Sequence, residues 1–95
     1  MHGVVRQYQN AAELVAIVQQ HKSEIEQLMK QVPGFVAWTL NKSTDGNYST
    51  ITVCNDQAGC QKSMEVAREF LSKHASGMRP SQVTEFEVLE RIVGR

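Results

Sequence analysis

The stretch that decides the fold runs from residue 32 to residue 56 and reads VPGFVAWTLNKSTDGNYSTITVCND. Two runs rich in β-branched and aromatic residues flank Asp45-Gly46, a dipeptide that tight hairpin turns favour because their central positions need positive φ. The stretch therefore predicts two antiparallel strands joined by a turn. Side chains alternate along a strand, so Phe35 and Trp38 are expected on opposite faces of the sheet. Aromatic residues on both faces raise the question of what covers the second face.

Helical patterns stand on both sides of this hairpin. The stripe before it has helical spacing over more than five turns and consists of Leu14, Val18, His21, Ile25, Leu28 and Val32. Asn10 is the predicted N-cap of that helix, Glu13 completes a capping box, and Pro33-Gly34 ends it. After the hairpin, Asn55-Asp56 provides an N-cap for a second helix over residues 57–73. Its stripe consists of Cys60, Met64, Ala67, Leu71 and His74.

The outer segments complete a βαββαβ order. Residues 4–8 and 83–89 read as a first and a last strand, which gives strand, helix, strand, strand, helix, strand. This order predicts an α+β, ferredoxin-like fold, with a four-stranded antiparallel sheet and both helices on one face. The helix-facing side is expected to carry Val5, Val36, Trp38, Leu40, Ile51, Val53, Phe86 and Val88. The other side is expected to carry Val4, Arg6, Tyr8, Phe35, Ala37, Thr39, Tyr48, Thr50, Thr52, Glu85 and Glu87.

Composition limits the classes of protein that fit. The 95 residues predict one domain over 1–95, with 41% hydrophobic and 21% charged residues. Ten basic and ten acidic side chains cancel, so no net field attracts nucleic acid or an anionic membrane. No apolar run approaches the roughly 20 residues of a membrane helix, and the amino terminus shows no signal peptide. Cys54 and Cys60 match no common zinc or redox spacing, which favours free thiols and a cytoplasmic location.

The uncovered side of the sheet predicts a homodimer. A face of roughly 450 Å² that holds aromatic residues is large for a monomer, and a twofold partner would cover it with the same face. The predicted dimer face consists of Arg6, Tyr8, Phe35, Tyr48, Glu85 and Glu87. Arg6 is expected to form a cross-strand ion pair with Glu85 or Glu87. A stable interface buries about 800 Å² per partner, so residues 90–95 are predicted to extend across to the partner and supply the rest.

RNA binding is the alternative use of this face. In an RRM module the open sheet stacks bases on aromatic residues of the first and third strands, where Tyr8 and Tyr48 stand. Glu85 and Glu87 are expected on the same face, and the charges balance to zero. Affinity for phosphates needs a basic surface, so the dimer is the preferred interpretation.

Nearly the whole chain, from Val4 to Leu89, resembles the antibiotic biosynthesis monooxygenase-like group of dimeric α/β-barrel proteins. The resemblance rests on the long first helix, the hairpin stretch, SMEVAREFLSKH in the second helix and SQVTEFEVL in the last strand. It implies a homodimer in which two sheets form a barrel, with a pocket between sheet and helices in each subunit. The group includes cofactor-independent oxygenases that act on polyketide aromatics, haem-degrading enzymes and proteins of unassigned activity. The haem-degrading branch has an Asn on the first strand and a Trp on the second helix, whereas this chain has Arg6-Gln7-Tyr8 and no Trp over 57–73. No cofactor is therefore expected.

Two histidines are the candidate catalytic residues. His21 and His74 interrupt the two helical stripes and are expected to face the space under Trp38, where an imidazole would shuttle protons near neutral pH. Each histidine can also be structural, since buried polar groups usually find a partner. The predicted substrate pocket consists of Trp38, Cys60, Met64 and Phe86. His2, His21 and His74 lack ligand spacing, so no metal site is expected.

These residues support two functional hypotheses within one fold. The first is a cofactor-independent monooxygenase that acts on a small aromatic or carbonyl substrate. The second is a ligand-binding or regulatory barrel that does no chemistry. In both cases the expected partners are a second copy of the chain and a small hydrophobic or aromatic ligand.

Overall fold

Four strands and three helices build the fold in the computed structural model, which describes residues 1–9 and 11–94. In chain order they are β1 His2–Tyr8, α1 Ala12–Gln20, α2 Lys22–Lys30, β2 Phe35–Lys42, β3 Tyr48–Cys54, α3 Gln57–His74 and β4 Gln82–Glu87. The strands form one antiparallel sheet in the order β2-β3-β1-β4. This arrangement confirms the ferredoxin-like prediction. Across the described ranges, no helix is both long enough and apolar enough to cross a membrane.

The β2–β3 hairpin closes where Asp45-Gly46 predicts it. Gly46 has a φ of 88°, a left-handed conformation that glycine adopts without a steric penalty. The Asn47 N–H donates to Asp45 Oδ1 at 3.0 Å, and the Ser43 N–H donates to the Asn47 carbonyl at 2.8 Å. The turn residues therefore satisfy their own backbone groups, which fixes the pairing of the two strands.

The predicted long first helix is broken at His21. His21 has φ −112° and ψ 26°, outside the helical region, so α1 ends before it and α2 begins after it. The stripe still faces the core on both sides of the break, since its members Leu14, Ile25 and Val32 are all buried. Ala11 stands at the N-cap position of α1 without a side-chain hydrogen bond. Asn10, the predicted N-cap, lies outside the described residues.

Helix α3 begins at the predicted cap. The Asp56 Oδ1 accepts a hydrogen bond of 2.9 Å from the Gly59 N–H, which satisfies one of the free donors of the first turn. The buried face differs from the predicted stripe by about one position. It consists of Gly59, Cys60, Ser63, Val66 and Phe70.

The predicted faces of β1, β3 and β4 are wrong. Val4, Arg6 and Tyr8 are only 0%, 5% and 3% exposed, so the helices cover them. The register sets Val4 beside Thr52, Arg6 beside Thr50 and Tyr8 beside Tyr48, and these partners therefore share the helix side. Glu85 pairs with Val4 and Glu87 with His2, which turns both carboxylates to that side as well. The open face instead carries Val5, Ile51, Val53 and Phe86.

A β-bulge and a double apolar pattern explain this error. The pairing of β2 with β3 shifts between Phe35 and Ala37, so Phe35 opposite Cys54 and Trp38 opposite Thr52 lie on the same side. All three aromatic residues of the opening stretch, Phe35, Trp38 and Tyr48, thus face the helices, as does Leu40. Strands β1 and β3 have apolar residues on both faces, and alternation alone does not tell which face is inward. The aromatic platform that the RNA alternative requires is absent from the open face, because Tyr8 and Tyr48 point to the helices.

Candidate functional site

A small cavity lies between the sheet and the helices. Its volume is about 40 Å³, which is room for a water molecule or two. Arg6, Tyr8, Trp38 and Thr50 line it from the sheet, and the helices contribute an apolar wall that includes Phe70. The sequence predicts a substrate pocket in this space, between the sheet and the helices.

A groove of about 440 Å³ adjoins the cavity beside β2. It shares Trp38 with the cavity, together with three apolar helix residues, Val18, Ile25 and Met29. Phe35 and Leu40 extend its apolar wall along the strand. Small-molecule sites usually measure roughly 300–1,000 Å³, so the groove has the size of a ligand site and Trp38 stands where it meets the cavity.

A second groove, of about 700 Å³, lies on the opposite side between α3 and β4. It shares Arg6, Tyr8, Ala67 and Leu71 with the cavity. Its wall also includes Met64, Arg68, Met78, Arg79 and Val83. The cavity therefore lies between two grooves, with Trp38 on one side and Arg6 on the other.

Arg6 is the unusual group of this region. It is 5% exposed, and its Nη2 has no hydrogen-bond partner within residues 1–9 and 11–94. Burial lowers the pKa of Arg6 because it disfavours the charged guanidinium, and the nearby Arg68 acts in the same direction. Val83, not a glutamate, lies beside Arg6 on β4, and the predicted ion pair with Glu85 or Glu87 is not formed among the described residues.

Tyr8 is the neighbour of Arg6 on β1. Burial raises the pKa of the Tyr8 phenol, while the Arg6 charge and a hydrogen bond with Thr50 oppose that shift. The phenol therefore stays protonated near neutral pH and can donate a hydrogen bond, but it is a poor base.

The two candidate catalytic histidines lie together, outside the cavity wall. Their rings stack with centroids 3.8 Å apart, and the His74 Nε2 lies 3.0 Å from the Glu24 Oε2. Phe70, which lines the cavity, contacts both rings at centroid distances of 4.7 and 5.9 Å. The expectation that both imidazoles face the space under Trp38 is therefore wrong, and their catalytic role stays a prediction.

Glu24 is the residue that sequence reasoning missed here. The His74 hydrogen bond lowers the pKa of the Glu24 carboxyl, and the charges of His74, Lys73 and His21 add to the effect. The donor atoms of His21, Glu24 and His74 lie within 4.8 Å of one another. Two imidazoles and a carboxylate are a ligand set that suits zinc or iron(II), so these three residues could hold such an ion. Histidine spacing gave no sign of this cluster, because 50 residues separate Glu24 from His74.

The predicted pocket residues divide into two groups. Trp38 lines the cavity and the groove beside β2, and Met64 lines the groove between α3 and β4. Cys60 is fully buried in the core and lines none of these three spaces. Phe86 lies on the open face, where its ring covers Gly3.

Cys54 and Cys60 are predicted to be inert in the folded protein. Both are fully buried, and burial together with the neighbouring Cys60 raises the pKa of Cys54 to about 11. Burial also raises the pKa of Cys60. At pH 7 a thiol of that pKa is ionised in only about one molecule in ten thousand, and the thiolate is the reactive form. We expect Ellman's reagent to label neither thiol in native buffer and both in guanidinium chloride, with fast labelling of the native protein as the contrary result.

Comparison with family models found no match, and comparison with curated proteins found none either. Solved structures do match. An antibiotic biosynthesis monooxygenase has a TM-score of 0.65 at 19% identity, covering 95% of this chain and 100% of that one. SnoaB, a cofactor-independent oxygenase from Streptomyces nogalater, has a TM-score of 0.64 at 19% identity, covering 96% and 95%. A dimeric ferredoxin-like protein from an uncultured marine organism has a TM-score of 0.69 at 13% identity, covering 98% and 97%. The chain therefore has the antibiotic biosynthesis monooxygenase-like fold.

Proposed function

We propose that two copies of this chain pair through the open faces of their sheets, and that each copy binds a small aromatic or carbonyl compound between its sheet and its helices. The finer proposal is that the bound compound is oxygenated without a cofactor. The observation that carries it is the apolar space on either side of Trp38, formed by the small cavity and the groove beside β2.

The open face supports the pairing. Val5, Ile51, Val53 and Phe86 remain only partly covered within one chain, and they form one apolar surface. Leu89, Ile92 and Val93 are exposed in the segment after β4 and can add apolar area against a partner. A twofold contact would bury each of these groups against the same surface of the other copy. One of the matching structures is itself described as dimeric.

The walls of the pocket favour a flat, apolar ligand. Trp38 offers an aromatic surface at the groove, and Phe70 offers one from α3. Aromatic pairs add to area burial when rings meet offset or edge to face. The few polar groups of the cavity, Arg6, Tyr8 and Thr50, can orient a ligand oxygen.

Oxygenation without a cofactor requires a substrate that supplies the electrons. Anthrone is such a compound, since loss of a proton from its methylene gives a carbanion that can reduce dioxygen. One oxygen atom then becomes the new carbonyl of anthraquinone, and the other leaves as water with the two methylene hydrogens. In this chain the pocket would orient the substrate, and Phe70, which lines the cavity and contacts both imidazoles, would separate the substrate from His21 and His74. SnoaB, with the same fold, is described as a cofactor-independent oxygenase.

A ligand-binding barrel without chemistry is the second candidate. It is favoured by the cavity wall itself, in which none of the described lining residues is His, Asp or Glu. Without a base at the wall, proton abstraction needs either a movement of Phe70 or a substrate that ionises by itself.

Anthrone as the probe separates the two candidates. Because Trp38 is the only tryptophan, its fluorescence reports binding directly, while an oxygen electrode reports turnover. We expect quenching of Trp38 and oxygen uptake in the native chain, with turnover falling at least about tenfold in H21Q or H74Q while quenching persists. His2→Gln is the matched control and should leave both signals unchanged. Quenching without oxygen uptake would support the binding barrel, and neither signal would contradict the ligand proposal.

A further inference from the structure

We propose that the ligand carries a fixed negative charge on an apolar body, as an aromatic carboxylate or sulfonate does, and that Arg6 is its counterion. This inference rests on the proposed function for the cavity that Trp38 and Arg6 both line, locates the anion on the α3–β4 side of it, and adds the chemical class of the ligand. It requires no catalytic step.

Arg6 is isolated from any balancing charge among the described residues. A guanidinium presents five N–H donors, and a buried one is normally paired with a carboxylate or fully hydrogen-bonded. Arg6 is buried, yet its Nη2 has no partner and no salt bridge reaches it within the described ranges. The charge that would balance it is missing from this part of the chain, so it is expected to arrive with a ligand.

Arg6 stands where the cavity meets the groove between α3 and β4. It lines both the cavity and the groove between α3 and β4, so an anionic oxygen that enters from this groove meets the guanidinium at its inner end. Tyr8 lines the same two spaces and, being protonated, can donate a second hydrogen bond. A planar guanidinium beside a phenol matches the two oxygens of a carboxylate.

The groove between α3 and β4 combines positive charge with an apolar wall. Arg68 and Arg79 are exposed along its wall, and none of the described residues that line it is acidic. Met64, Met78 and Val83 give the same wall an apolar surface. Methionine side chains adapt to irregular apolar shapes, and positive charge along a cleft attracts anions. An anion with an apolar body fits both features, whereas inorganic phosphate fits only the charge.

A pair of fluorescent probes tests the inference. Anilinonaphthalene sulfonate and N-phenyl-1-naphthylamine share their aromatic body, and only the first carries a charge. We expect the native protein to bind the sulfonate at least tenfold more tightly than the neutral amine, since charged hydrogen bonds are worth about that factor or more. In R6M the sulfonate should lose about tenfold in affinity while the amine binds as before, and R6K should keep part of the preference. Lys42→Met removes an exposed charge outside these spaces and should change neither affinity.

Thermal unfolding of the free protein distinguishes a binding role from a structural one. If the Arg6 charge is uncompensated, R6M should melt at the same temperature as the native protein or higher, because a buried unpaired charge has been removed. If a cavity water already satisfies Arg6, R6M should melt lower and both probes should weaken equally, which would overturn the inference. Equal binding of the two probes to the native protein would also overturn it. If R6M fails to fold, the affinities of the two probes for R6K provide the test. A complete loss of the preference for the charged probe, with lysine at this position, would contradict a counterion role.

The probe-binding result and the oxygen-uptake result test the anion site and the oxygenase proposal separately. A native protein that prefers the sulfonate but consumes no oxygen with anthrone supports the anion site and contradicts the catalysis. One that oxidises anthrone and shows no preference for the charged probe supports the catalysis and overturns the anion site.

Discussion

Ile51→Asp is expected to give a monomer. Ile51 lies on an inner strand of the sheet, beside Val5 on β1, in the middle of the apolar open face. In a twofold contact both copies would place a carboxylate there, and burying an unpaired charge in an apolar contact costs several kcal/mol. That cost corresponds to a loss of about a thousandfold or more in the dimer constant. Light scattering after size exclusion should give a mass near 10.7 kDa for the variant and twice that value for the native chain.

A matched variant keeps this result specific. Gln61→Asp introduces the same charge on the exposed surface of α3, away from the open face, and should remain dimeric. Circular dichroism of both variants should match the native protein, because neither position contributes to the helix-side core. A native chain that elutes as a monomer at micromolar concentration would contradict the pairing proposal, and so would a dimeric Ile51→Asp.

The order of elements could be read from the sequence because each signal is local. Asp45-Gly46 determines its own turn, Asp56 caps its own helix, and helical spacing spans only a few turns. The assignment of faces was a different problem. It depended on the bulge between Phe35 and Ala37 and on which apolar face of β1 the helices cover. Both features are decided by packing between segments that lie far apart in the sequence.

The residues of the candidate site also divide into those that local sequence patterns predict and those that only tertiary packing positions. Trp38 was predicted as a pocket residue from its place on the helix-facing side of the sheet, and Met64 from its place in the stripe of the second predicted helix; each lines one of the spaces described above. Arg6 was assigned to the dimer face because strand alternation set it opposite to Val5, which was expected on the helix side. It is instead buried beneath α3, with no carboxylate partner among the described residues. The contact of Glu24 with His74 joins two helices across 50 residues, and the break at His21 has no proline or glycine at that position to announce it. The candidate site residues that the sequence did not reveal are therefore the ones whose contacts are distant in sequence.

Gly59→Ala is expected to destabilise the protein by about 2–3 kcal/mol, against the trend for helices. Alanine in place of glycine inside a helix normally stabilises by about 1 kcal/mol. At residue 59, however, an added Cβ would lie 2.5 Å from the Pro33 carbonyl oxygen and 2.9 Å from the Cys54 Cβ. Neither atom can move without shifting backbone, since one belongs to the chain between α2 and β2 and the other to β3. Forcing extra volume into such a contact typically costs 1–3 kcal/mol, and a backbone oxygen leaves little room for relief.

Denaturant unfolding of Gly59→Ala and Gly77→Ala measures this directly. Gly77 lies after α3 with nothing within 4 Å of an added Cβ, so its substitution should change the free energy of unfolding by less than about 0.5 kcal/mol. The difference between the two substitutions bears on the candidate site as well as on stability. The approach of α3 to Pro33 fixes how α3 lies over β3 and β1, and thereby the width of the cavity that Arg6 and Phe70 line. A stabilised Gly59→Ala would instead mean that α3 shifts away from β3 to accept the methyl group, and the volume of the cavity between sheet and helices would then exceed 40 Å³.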